Sequence, residues 1–89
     1  MPNSSDIPDT LSETLVATLS EAREGVRSGD VATAREQLDI AAQIIRSQLP
    51  ESSVTETLTF GLTAVERTAA DEPLVASEYL RSMIELLEE

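Results

Sequence analysis

The sequence predicts an all-α fold, an antiparallel up-down-up-down four-helix bundle. Three observations point there. Apolar residues recur at three- and four-residue spacing in four stretches. Capping and breaking residues punctuate those stretches. The links between them are short, and four helices of similar length on short links close most simply as such a bundle.

Residues 1–8, MPNSSDIP, carry two prolines, two serines and an asparagine and read as a flexible N-terminal tail with Ile7 as its one apolar anchor. A single helical domain, 9–89, is expected to follow. The first helix is expected over about 10–28. Thr10 and Glu13 fit a capping box, in which each residue satisfies a free amide of the other. Leu11, Leu15, Thr18, Leu19, Ala22 and Val26 form one narrow stripe. Gly29 suits a left-handed stop, and Asp30 suits the cap of the next helix. So short a connection folds the chain back as a helical hairpin.

The second helix is expected over about 31–48. Val31, Ala34, Leu38, Ala41, Ile45 and Leu49 form its main row, with Ile40 and Ile44 to one side and Ala42 to the other. That arc is wider than a surface helix needs, so the helix either lies centrally or faces both a core and a partner. Pro50 ends it, because the residue before a proline avoids helical geometry. The third helix, about 53–70, opens on a second capping box, Ser53 with Glu56. Its stripe contains Gly61, which costs about 1 kcal/mol against alanine inside a helix and fits the close approach of another helix. The fourth helix, about 72–87, has Asp71 as its expected cap and Pro73 in its first turn. Ala76, Tyr79, Leu80, Met83, Ile84 and Leu87 make its apolar face. A tetratricopeptide-like pair is the rival layout, but its signature positions do not recur at a period of roughly 34 residues.

The chain has 89 residues, enough for one core. It holds neither cysteine nor histidine, so neither a disulfide nor a common zinc site can staple it. Acidic residues number 17 against 6 basic ones, a net charge of −11, and every basic residue is arginine. The absence of lysine from so acidic a surface fits a molar-salt cytoplasm, where the screening length falls to about 3 Å and carboxylate repulsion is largely removed. No basic cluster is available for phosphates or anionic lipids, so neither nucleic acid nor membrane is an expected partner. Arg23 and Arg27 are the only local arginine pair. No apolar run approaches 18 residues, and the N-terminus lacks a signal peptide's apolar core, so a cytoplasmic location is expected.

Two stretches carry a resemblance: Ser28-Gly29-Asp30-Val31-Ala32-Thr33-Ala34-Arg35, and Ala70 through Met83, ADEPLVASEYLRSM. Together they resemble a group of small acidic uncharacterised proteins of halophilic archaea. The resemblance covers about the last two thirds of the chain. It implies a halophilic source and no known activity, so no residue role is carried over.

Without histidine, cysteine or lysine, the usual nucleophile–base pairs and Schiff-base chemistry are missing, and three scattered glycines make no phosphate loop. A non-enzymatic protein with no cofactor is therefore expected. Glu21 with Glu24, Glu36 with Asp39, and Glu85 with Glu88 each share a helix face. A carboxylate-based divalent-cation binder or a minor metal-dependent hydrolase is the alternative they allow. Arginine–carboxylate spacing suggests surface pairs at Arg35–Asp39, Arg67–Asp71, Glu78–Arg81 and Arg81–Glu85. The more informative oddities are apolar groups off the main stripes. Phe60 lies about 140° from Val65 at ~100° per residue, Ile40 and Ile44 extend the second helix, and Val75 and Leu86 widen the fourth past Tyr79. Phe60, Ile40, Ile44 and Tyr79 are the candidate interaction surface for another protein or for a second copy in a homodimer.

Overall fold

A computed structural model describes residues 7–88. Four helices run in order: α1 Asp9–Ser28, α2 Val31–Gln48, α3 Ser53–Thr68 and α4 Pro73–Glu88. The bundle measures 38 × 19 × 18 Å. α1 packs on α2 and on α4, and α4 also packs on α3, while the α2–α3 seam is the sparsest. The ring of neighbours is that of an up-down-up-down bundle. The flexible-tail expectation for residues 1–6 lies outside the described residues, but Ile7 is buried in the core, as an anchor should be.

The turn between α1 and α2 is built as the sequence suggests. Gly29 sits at φ 83°, the left-handed conformation. The Asp30 N–H donates to the Gly25 carbonyl at 2.8 Å and the Gly29 N–H to the Val26 carbonyl at 3.4 Å, the paired bonds of a Schellman stop. Asp30 then caps α2, accepting from the Thr33 N–H and hydroxyl at 3.2 and 2.8 Å. Both bonds favour the ionised carboxylate, the hydroxyl the more, and hold its pKa below the usual value. Leu49 turns extended ahead of Pro50, ending α2.

The other three caps are corrections. α1 starts at Asp9 with Pro8 before it and no side-chain cap, so Thr10 and Glu13 form no capping box. The Pro8 carbonyl already accepts the Ser12 N–H at 2.9 Å, which winds Thr10 into the first turn. At α3 the cap is Ser52, one residue earlier than Ser53, and its hydroxyl accepts from the Thr55 N–H. Thr55 in turn donates to the Pro50 carbonyl at 2.7 Å, so the serine–threonine pair displaces the expected Ser53–Glu56 pair. α4 begins at Pro73, where a missing N–H costs nothing. The Glu72 carbonyl accepts the Ala76 N–H, leaving Asp71 two residues before the helix.

The core is aliphatic, with Leu15, Leu19, Leu58, Leu80 and Val65 fully enclosed. Fully burying such side chains stabilises a fold by about 1.5–3 kcal/mol each. α2 uses its wide arc inward: Ala41, Ala42, Ile44 and Ile45 are all buried. Ile44 is thus a correction to the candidate surface. At 9% exposure it belongs to the core, because the arc that looked too wide for one neighbour lies among several helices. Two glycines mark close approaches. A Cβ on Gly61 would lie 2.9 Å from the Met83 Sδ of α4. One on Gly25 would lie 3.0 Å from the Ala34 backbone nitrogen of α2.

Two polar links tie α4 to α1. The Arg23 Nε donates to the Ser77 hydroxyl at 3.1 Å, and Ser77 is only 3% exposed. The Ser12 hydroxyl donates to the Leu87 carbonyl at 3.2 Å.

Candidate functional site

Three of the four candidate surface residues are exposed. Phe60 is 81% exposed, and Ile40 and Tyr79 are each 42% exposed. Phe60 and Tyr79 come together. They line a shallow groove of about 480 Å³ along the outward seam of α3 and α4. Small residues, Gly61 and Ala64 on α3 and Ser82 on α4, leave the hollow, and Met83 and Leu86 close its apolar floor. Ile40 stands apart on α2 and lines neither this groove nor the one described below.

The sequence places those side chains there by a second periodicity. On α4 the core positions Ala76, Leu80, Met83 and Leu87 follow four-three-four spacing. Val75, Tyr79, Ser82 and Leu86 repeat that spacing one residue earlier, about 100° round the helix. On α3, Thr57, Phe60 and Ala64 continue the outward seam beside it. This spacing is the one that sets knobs into holes between helices. The doubled stripe was legible in the sequence as Val75 and Leu86 beyond Tyr79. That it meets Phe60 follows from α3 packing on α4.

A second groove of about 360 Å³ opens at the sparse α2–α3 seam, near the α1–α2 and α3–α4 turns. Val31, Leu38, Ala69 and Pro73 line it together with Arg35, Asp39 and Glu66. Sequence reasoning missed it, since it arises from where α2 and α3 part and not from any residue pattern.

Charged groups sit outside the core. Every described Asp and Glu is exposed. Arg81 pairs with Glu85 at 3.2 Å and Glu78 at 3.5 Å, as their spacing suggests. Arg35–Asp39 and Arg67–Asp71 do not close among the described residues. Glu21, Glu24, Glu36, Asp39, Glu85 and Glu88 all face solvent, and among the described residues no three acids gather around one point. Each of the three carboxylate pairs therefore stands without a third acid beside it among the described residues. No described helix is long and apolar enough to cross a membrane.

A family model described as a domain of unknown function (DUF8101) matches residues 1–89, the length of the sequence. No curated protein and no solved structure matches.

Proposed function

The chain belongs to the DUF8101 family of domains of unknown function, and from its own surface we propose that it is a non-enzymatic helical protein-interaction module of a high-salt cytoplasm. One observation carries the reading. A large aromatic side chain, Phe60, stands 81% exposed at the edge of an apolar groove on a bundle whose core is already filled without it. Leaving a phenylalanine in water forfeits about 1.5–3 kcal/mol of burial. A docked helical surface recovers it, and exposed aromatic anchors are the groups that carry binding energy at such surfaces. Tyr79 is the second anchor, on the facing wall of the groove.

The solvent half of the reading rests on charge. The basic residues are six arginines with no lysine, and every described carboxylate is exposed. At about 1 M salt and above, the ~3 Å screening length lets such groups hold water without repelling one another across the surface. The resemblance to proteins of halophilic archaea points the same way.

The test is light scattering in ~2 M KCl together with affinity recovery of binding proteins at the same salt, on wild type and Phe60→Ala. The reading expects the variant to fold and to lose association, whether with itself or with another protein. A strict monomer whose recovered proteins are unaltered by Phe60→Ala overturns it.

A further inference from the structure

We propose that the α3–α4 groove receives a second copy of this chain, in a reversible twofold dimer in which each Phe60 seats in the hollow beside the other copy's Phe60. This rests on the docking reading above and names its occupant.

Three observations select a second copy. The first is shape. Phe60 is a knob, and the adjoining hollow over Gly61, Ala64 and Ser82 is a hole of about 480 Å³ on the same face. A twofold axis is the operation that puts each knob of a self-complementary patch into the other copy's hole. The second stripe on α4, Val75–Tyr79–Ser82–Leu86, has the spacing for helix-on-helix packing, and the element that presents it best in return is the same α4 running antiparallel.

The second is charge. The chain carries −11 overall. Among the described residues, Glu85 is the one charged group that lines this groove, a local charge of −1. Arg81 also bonds both of its acidic neighbours on α4. A cationic partner would be drawn to the more acidic faces elsewhere, whereas a second acidic copy is tolerated here above all. The third is area. Each helix of this face has 16 residues, about 24 Å at 1.5 Å per residue. Two such helices side by side present roughly 480 Å², or about 1,000 Å² for both copies. That is the lower edge of specific interfaces, so the dimer is weak and concentration-dependent. Screening of the remaining charge makes it tighten as salt rises.

Sedimentation equilibrium of the intact chain at about 50–500 µM, a range suited to an interface of this size, tests it in 0.2 M and ~2 M KCl. Expected is a monomer–dimer equilibrium at ~2 M KCl that weakens at least several-fold at 0.2 M. Phe60→Ala should reduce association tenfold or more with unchanged helical circular dichroism. Ser82→Leu, which fills the hollow without removing the knob, should do the same, and Ile40→Ala should leave it intact. A wild-type monomer throughout, with other proteins still recovered in a Phe60-dependent way, overturns the dimer and leaves the docking reading standing. A monomer with Phe60-independent recovery overturns both. Dimerisation that Ile40→Ala abolishes, or that is stronger at 0.2 M than at ~2 M KCl, also overturns the assignment.

Discussion

Replacing Gly25 by alanine probes the glycine contact that presses on backbone rather than on a side chain, since Gly61 meets only Met83. An added Cβ meets the Ala34 N at 3.0 Å, the Asp30 O at 3.1 Å and the Ala34 Cα at 3.2 Å. All three are backbone atoms at the start of α2, held by the Schellman bonds and the Asp30 cap, and none turns aside as a side-chain tip would. α1 and α2 must part by a few tenths of an ångström, straining the 2.8 Å bond from Asp30 to the Gly25 carbonyl. Overpacking of this kind costs about 1–3 kcal/mol, and a rigid backbone places it in the upper half of that range. Alanine returns about 1 kcal/mol through helix propensity. The net is a loss of about 1–2 kcal/mol, a fall in Tm of roughly 5–15 °C for a domain of this size. Thermal unfolding followed by circular dichroism in ~2 M KCl reads it. An unchanged or higher Tm refutes the close approach of α1 and α2.

Gly61→Ala should behave differently, because its new Cβ meets only the Met83 side chain, whose Sδ and Cγ lie 2.9 and 3.0 Å away beside the open groove. The methionine turns toward the groove and the propensity gain offsets its shift, so denaturant unfolding should give a change of less than about 1 kcal/mol. The Asp30 cap gives a pH dependence. Its pKa is lower folded than unfolded, so its contribution is complete above the ordinary value of 3.8 and is lost as pH falls through the lower folded value. Asp30→Ala should therefore be less stable than wild type at pH 7, and the gap between the two melting curves should narrow as pH falls below the ordinary value of 3.8; a gap that is constant with pH contradicts the cap. Raising KCl from 0.1 to ~2 M should lift Tm by about 5 °C or more, close to 1 kcal/mol of relieved repulsion, and a fall would contradict the charge argument.

Much of the architecture was legible because helical periodicity and breakers are local signals. Gly29-Asp30 and Pro50 act within a few residues, and the turn and the stop they predict are present. The caps at Thr10, Ser53 and Asp71 were misplaced by one or two residues because several residues compete for the same amides. The Pro8 carbonyl, the Ser52–Thr55 pair and Pro73 each won through neighbours that the capping pattern does not weigh. The site was legible in part. Phe60 stood off its helix's main stripe and does share a groove with Tyr79, which the apolar face of the fourth helix had included, whereas Ile44 stood off its main row as Phe60 did and is buried. Periodicity says that a side chain leaves one stripe. Only the packing of a third helix decides whether it then meets water, and that is a long-range fact. The Arg23–Ser77 link, 54 residues apart, was invisible for the same reason.

The central claim is that the working surface is the outward face of α3 and α4. Amide chemical shifts of the isotope-labelled chain, followed from dilute to concentrated solution in ~2 M KCl, test it residue by residue. Concentration-dependent shifts should be confined to Thr57–Arg67 and Val75–Leu86, with Ile40 and its neighbours on α2 unmoved. Shifts centred on α1 or α2 would contradict this claim, and none at any concentration would contradict self-association through this face.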